Sequence, residues 1–283
     1  MIVSASYRTD IPAYFSKWFV EKLEAGFCEV PNPYSRKSYR VSLNSSDVDG
    51  YVFWTKNAAP FIEIAQTMAE QGAYSVFQYT ITGSPNALEA NTPSVNRSVD
   101  TFKELSRRFG SKSVVWRYDP ILVTSLTDHA WHFANFAGIA KKLSGMTDEV
   151  VVSYAQPYRK SEKNIKIAAK IHDFDWRDPS IDEKQALIAR LAEIAKAENI
   201  RLTTCAQPEL SVPGVSAARC IDADRLSEIA GREIAARQKG NRSGCLCSES
   251  RDIGQYDTCP MGCVYCYAVS NNAKAAKNYK SFS

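Results

Sequence analysis

The chain is 283 residues long, 45% hydrophobic and 23% charged, with a formal net charge of +4. That is enough apolar material for one large or two ordinary globular domains, and the basic residues are spread rather than clustered, so composition alone carries no nucleic-acid signature. No apolar run approaches the roughly 20 residues of a membrane span, and Met1 to Tyr7 lacks the basic flank and apolar stretch of a signal peptide, so no membrane partner is expected.

In chain order, residues 2–6 read as a buried strand. Residues 12–25 read as a helix with Phe15, Trp18, Phe19 and Leu23 at helical spacing. Pro31, Asn32, Pro33 and Tyr34 mark a loop. Further strands are expected at 52–54, 75–82, 114–116, 150–154 and 200–203, the last running into Cys205. Helices are expected at 61–71, 99–109, 128–143 and 182–197, the third ended by Ser144 and Gly145. Strands alternating with helices predict a parallel sheet of βα units joined by right-handed crossovers, and six units in a row predict a partial (βα)6 TIM-like barrel. Residues 206–250 break the alternation with Pro208, Pro213, Gly214 and a short helix at 222–237. The expected division is a barrel core over 1–205, a cysteine-bearing insertion over 206–250, and a C-terminal loop and helix over 251–283 that close the barrel.

Of eight cysteines, Cys28 stands alone and the other seven follow position 200. A disulfide framework would be spread over the fold that it staples. Grouped cysteines without a secretion signal point instead to a reducing, cytoplasmic setting and to metal binding. Cys259, Cys263 and Cys266 are spaced C-x3-C-x2-C. Thiolates are soft ligands suited to iron–sulfur clusters, and three of them leave one iron of a four-iron cluster open to an outside ligand. Structural zinc sites usually pair cysteines as two C-x2-C units, which fits this loop less well; a chance grouping is the other alternative. Cys205, Cys220, Cys245 and Cys247 are enough for a closed four-coordinate site, either a second iron–sulfur cluster or zinc, unless some simply pack as free thiols.

The carboxyl ends of parallel barrel strands form the active face. Ser6, Arg8 and Asp10 follow the first strand, Thr55, Lys56 and Asn57 the second, and Thr80 and Thr82 lie in the third. Arg117 and Asp119 follow the fourth, and Tyr154 and Gln156 come with the fifth. Arg8, Asp10, Lys56, Asn57, Arg117 and Asp119 are the candidates for chemistry on a substrate, and Ser6 and Thr80 for contacts to a cofactor. The plainer alternative is that Arg117 pairs with Asp119 and that Arg8 and Asp10 cap the following helix. His129 and His132 lie three apart on one helix but among Trp131, Phe133 and Phe136, so packing is expected of them. No Ser-His-Asp set or phosphate-binding glycine loop is present.

The C-x3-C-x2-C loop resembles the signature of the radical S-adenosylmethionine (SAM) enzymes. The resemblance implies a [4Fe–4S] cluster whose open iron chelates SAM, and one-electron cleavage of the sulfonium to a 5′-deoxyadenosyl radical that takes hydrogen from a substrate. The superfamily places an aromatic residue, here Tyr265, near the adenine. It also implies an electron donor such as flavodoxin or ferredoxin and allows an auxiliary cluster at the barrel mouth. In that superfamily the loop follows the first strand, whereas here it comes last, so the implied fold is a circularly permuted barrel. Residues 4–12, 52–57, 115–120 and 250–259 are similar to the family known as domain of unknown function 1848, a resemblance that spans nearly the whole chain and names no substrate. The loop also locally resembles that of spore photoproduct lyase. The alternatives are an iron–sulfur or zinc protein without SAM chemistry, and a nucleic-acid repair or modification enzyme.

Overall fold

Along the central strands apolar side chains alternate in direction, and that period of two sorts the chain into layers. The computed structural model describes every residue except Pro33, Tyr34, Arg36, Pro157 and Ser283. Its elements are β1 (Ile2–Ser4), α1 (Ile11–Tyr14), α2 (Ser16–Ala25), β2 (Phe27–Pro31), β3 (Ser38–Ser42), β4 (Gly50–Thr55), α3 (Ile62–Glu70), β5 (Ser75–Thr80), α4 (Val95–Phe109), β6 (Val114–Ile121), α5 (His129–Leu143), β7 (Glu149–Tyr154), α6 (Arg159–His172), α7 (Ile181–Ala197), β8 (Arg201–Thr204), β9 (Ser216–Ala217), α8 (Ala223–Ala230), β10 (Ser250–Asp252) and α9 (Asn272–Phe282).

Eight strands form one sheet in the order β10-β1-β4-β5-β6-β7-β8-β9, with every pairing parallel. Strands β9 and β10 are its two edges, so the sheet is open rather than a closed barrel. Strands β2 and β3 form a separate antiparallel hairpin. Of the loop expected at 31–34, Pro33 and Tyr34 lie outside the described residues, and Pro31 ends β2.

Val3, Phe53, Phe77, Tyr79, Trp116, Tyr118 and Val152 point to the face covered by α1 to α5 and α7, where they join the main core. Ile2, Val52, Val76, Val115 and Val151 point the other way. There they meet Ala218, Cys220, Ile221, Leu226, Ile234 and Cys247 from the segment between β9 and β10. The segment read as an insertion therefore covers one whole face of the sheet. Each aromatic side chain fully buried in the helix-covered core contributes about 1.5–3 kcal/mol relative to exposure.

Several expectations needed correction. The sheet has eight strands rather than six, because β9 and β10 span two and three residues and are too short to show a period. Helix α6 was not expected: only Ser161, Ile165 and Ala168 of its residues are buried, so it has a narrow apolar stripe. The helix expected over 12–25 breaks at Phe15, which leaves helical geometry at φ −124° and ψ 26°. The one expected over 222–237 stops at Ala230, where Gly231 takes a left-handed conformation. Arg117 and Asp119 lie within β6, which runs to Ile121, rather than after it.

His132 is buried, as the packing expectation holds, and it is hydrogen-bonded. Its Nε2 donates to the Leu122 carbonyl at 3.3 Å, and its Nδ1 therefore accepts from the Tyr118 hydroxyl at 2.8 Å. Burial lowers its pKa from 6.5 to about 4. Between those values the unfolded chain binds the proton more readily, so this contribution to stability is complete above pH 6.5 and is lost as pH falls toward 4. The loss amounts to about 3 kcal/mol. Urea unfolding at pH 7 and pH 4.5 should show a smaller pH effect in His132→Gln than in the wild type; equal losses in both would exclude this origin.

Candidate metal centres

Strand β10 runs parallel beside β1, and the cysteine loop leaves its carboxyl end. Asp257 fixes the base of the loop. Its carboxylate accepts from the Ser270 hydroxyl at 2.8 Å and from Lys274 Nζ at 2.7 Å, and so ties the loop to α9. The loop then docks on residues 88–91: Val264 N donates to the Leu88 carbonyl and Asn91 N to the Met261 carbonyl, both at 3.0 Å. Gly262 adopts φ +79°, and a Cβ there would stand 3.1 Å from the Ala90 Cβ, so the turn requires glycine.

None of the eight cysteines is in a disulfide. Burial raises the thiol pKa of Cys259, Cys263 and Cys266. Asp10 and the other two thiols add to the rise at Cys259, while Lys56 opposes it at Cys263. Backbone amides oppose the rise at two of the sulfurs: that of Met261 at Cys259, and those of Ala268 and Val269 at Cys266. Such donors favour the thiolate, and a metal arriving there would displace the protons.

Beside this loop lies a buried ion pair. Lys56 Nζ donates to Glu89 Oε2 at 2.9 Å, and the Thr82 and Tyr265 hydroxyls both donate to Glu89 Oε1. The Lys56 ammonium also stands 5.8 Å from the Tyr265 ring centroid. Tyr265 is half-buried, with its hydroxyl anchored on Glu89. Sequence reasoning missed Glu89, because a lone Glu in a segment of Pro, Asn and Thr carries no pattern.

The second set of cysteines converges from three separate segments. Cys205 follows β8, Cys220 lies between β9 and α8, and Cys245 and Cys247 precede β10. The Cys205 and Cys220 sulfurs are 3.5 Å apart. Cys247 touches both Cys220 and Cys245. The contact with Cys247 brings the Cys245 thiol down to about 6. At Cys247 the contact with Cys220 lowers the pKa, but the contact with Cys245 and burial outweigh it and push the thiol up to about 11. Arg117 Nη1 donates to the Cys220 sulfur at 3.0 Å and to Gln78 Oε1 at 3.1 Å, and Arg242 Nη2 lies 3.6 Å from the Cys205 sulfur.

Among the described residues, no three His, Cys, Asp or Glu side chains surround one point as ligands of a single ion. A four-iron cluster asks for something else, since each of its cysteines binds a different iron. Three free thiols in one glycine-turned loop are a donor set of that kind. The second set offers four.

The remaining candidates divide between structure and site. Asp10 caps α1, accepting from Ala13 N at 3.0 Å, and also accepts from Lys56 N at 2.9 Å. Burial raises its carboxyl to about 6. Arg8 does not cap a helix: it pairs with Asp252 at the end of β10 and lies 5.5 Å from the Tyr256 ring centroid. Ser6 Oγ donates to the Trp54 carbonyl at 2.7 Å, and Asn57 Oδ1 accepts from Ala59 N at 3.3 Å. Asp119 pairs with Arg117 and accepts from the Ser153 hydroxyl. Thr80 ends β5, on the face that carries Val76 and Gln78. Lys56 is within electrostatic reach of both Cys263 and Asp119, and so lies between the two cysteine sets.

A family model described as Domain of unknown function (DUF1848) matches residues 2–268, a span that includes both cysteine sets. No curated protein and no solved structure matches the chain.

Glu89→Gln keeps an acceptor for Thr82 and Tyr265 but leaves the Lys56 ammonium buried and unpaired. Urea unfolding of the cluster-free protein should show a loss of about 3 kcal/mol. Adding Lys56→Met should restore most of it; an unchanged midpoint in Glu89→Gln would mean that the pair is not what holds the loop's neighbour in place.

Proposed function

The chain belongs to the DUF1848 family, and from that premise we propose that it is a radical SAM enzyme with a [4Fe–4S] cluster on Cys259, Cys263 and Cys266. One observation carries the reading: a partly buried C-x3-C-x2-C loop, with Cys263 buried and Cys259 and Cys266 half-buried, leaves the carboxyl end of a strand in a parallel sheet, beside the polar ends of its neighbours. When bound, the cluster supplies the electron that cleaves SAM to methionine and a 5′-deoxyadenosyl radical. The chain's own residues bind, orient and shield. Lys56 and Glu89 set the charge beside Cys263, and the Tyr265 ring stands next to them as a flat wall for an adenine. Arg8 is committed to Asp252 and positions the loop-bearing strand rather than a ligand.

In this reading the fold is a circularly permuted, partial barrel, with β10, the strand before the loop, taken as the counterpart of the superfamily's first strand. Cys205, Cys220, Cys245 and Cys247 are read as ligands of a second cluster. A flavodoxin or ferredoxin is the class of electron donor that fits, and the cytoplasm is the compartment.

Anaerobic reconstitution should give about eight irons per chain, the content of two cubanes. Cys245→Ala with Cys247→Ala should remove roughly half of that iron and keep the paramagnetic signal that responds to SAM. Any one of Cys259→Ala, Cys263→Ala or Cys266→Ala should abolish formation of 5′-deoxyadenosine by dithionite-reduced protein. A wild type that carries iron yet cleaves no SAM would overturn the reading.

Tyr265→Ala should keep the iron and weaken SAM binding several-fold, a loss of ~1 kcal/mol of ring contact. Iron lost as thoroughly as in Cys263→Ala would make Tyr265 a support of the loop instead.

A further inference from the structure

The two cysteine sets stand in opposite electrostatic surroundings. Around the 258–268 loop, the carboxylates of Asp10 and Glu89 act on Cys259 and Cys263, and Glu89 holds the Lys56 ammonium at 2.9 Å. Around the second set the balance reverses. The Arg117 guanidinium donates directly to the Cys220 sulfur, the Arg242 guanidinium reaches that of Cys205, and Asp119 pairs with Arg117. Arg117 is only 4% exposed, so its field is weakly screened by water.

We propose that Cys205, Cys220, Cys245 and Cys247 hold an iron–sulfur cluster whose reduction potential Arg117 and Arg242 raise above that of the cluster in the 258–268 loop. This rests on reading both sets as cluster ligands. Reduction adds one negative charge to a cluster and its sulfurs. A fixed cation and N–H donors at those sulfurs stabilise the reduced form more than the oxidised one, so the potential rises; carboxylates act in the opposite sense. Guanidinium groups remain cationic throughout the working pH range, so the bias is permanent rather than switched by pH. Arg117 also holds Gln78 and Asp119, and Gln78 Nε2 donates to the Cys220 carbonyl at 2.9 Å. The cation is thus fixed in position by two partners besides the sulfur, Gln78 and Asp119. Arg117 and Arg242 act through the ligands, as tuning residues.

The test is an anaerobic redox titration of the reconstituted full chain without SAM, followed by electron paramagnetic resonance, with iron and zinc counted for each variant. Two reduction steps are expected, and Cys245→Ala with Cys247→Ala should delete the one at higher potential. Arg242→Gln, at an exposed position, should lower that step and leave the other unmoved, with unchanged iron. Arg117→Lys keeps the charge but not the forked contacts, and should lower it as well. The proposal is overturned if the step deleted by the cysteine variant is the lower one, if Arg242→Gln leaves the higher step in place at unchanged iron, or if the second set carries zinc. Formation of 5′-deoxyadenosine is read separately on the same preparation. Its absence beside the expected potentials would overturn the proposed function and leave this inference standing.

Discussion

An ionised side chain taken out of water needs an opposite charge at close range, because a buried charge left alone costs several kcal/mol. Around the sheet the buried ions meet that condition in pairs that join distant parts of the chain. Arg8 with Asp252 ties the end of β1 to the end of β10, across 244 positions of sequence. Lys56 with Glu89 ties the end of β4 to the segment on which the cysteine loop docks. Arg225 with Asp148 and Glu149 ties α8 to β7 and so holds the 218–247 segment on its face of the sheet. Remove one partner and the other becomes a buried, unpaired charge; for that reason these contacts specify a single arrangement.

The parallel sheet gives those pairs a common address. Because every strand of the sheet runs the same way, the turns that leave their carboxyl ends collect along one edge. The loop after β10, the residues after β4 and β5, and Cys205 after β8 all meet there. The period of two then sends Arg117 and Asp119 to the face that the 218–247 segment covers, while Trp116 and Tyr118 enter the helix-covered core. Cys220 and Cys247 arrive on that covered face as part of its apolar cluster and still touch the guanidinium of Arg117. Lys56 stands beside the loop, paired with Glu89, while Asp119 pairs with Arg117, which donates to the Cys220 sulfur.

Local pattern carried a good deal of this. The spacing of Cys259, Cys263 and Cys266 is a property of adjacent residues, so it is legible without coordinates. So are the apolar strands at 2–6, 52–54, 75–82, 114–116, 150–154 and 200–203, and the long amphipathic helices, since each displays its own period over enough residues. The pairing of Arg117 with Asp119 is the plainer alternative for two near neighbours in sequence, although their place within β6 is not legible there. Only the tertiary structure decided the rest. Strands β9 and β10 are too short to show a period and exist because neighbouring strands offer them backbone partners. Glu89 looks like any loop carboxylate until folding seals it against Lys56. Cys205, Cys220, Cys245 and Cys247 are separated by up to 42 positions in sequence and become neighbours only when the 218–247 segment lies down on the sheet. Local sequence encodes periods and short spacings; which distant charges and sulfurs share one buried space is settled by packing, where the requirement to satisfy every buried polar group selects among the arrangements that the periods allow.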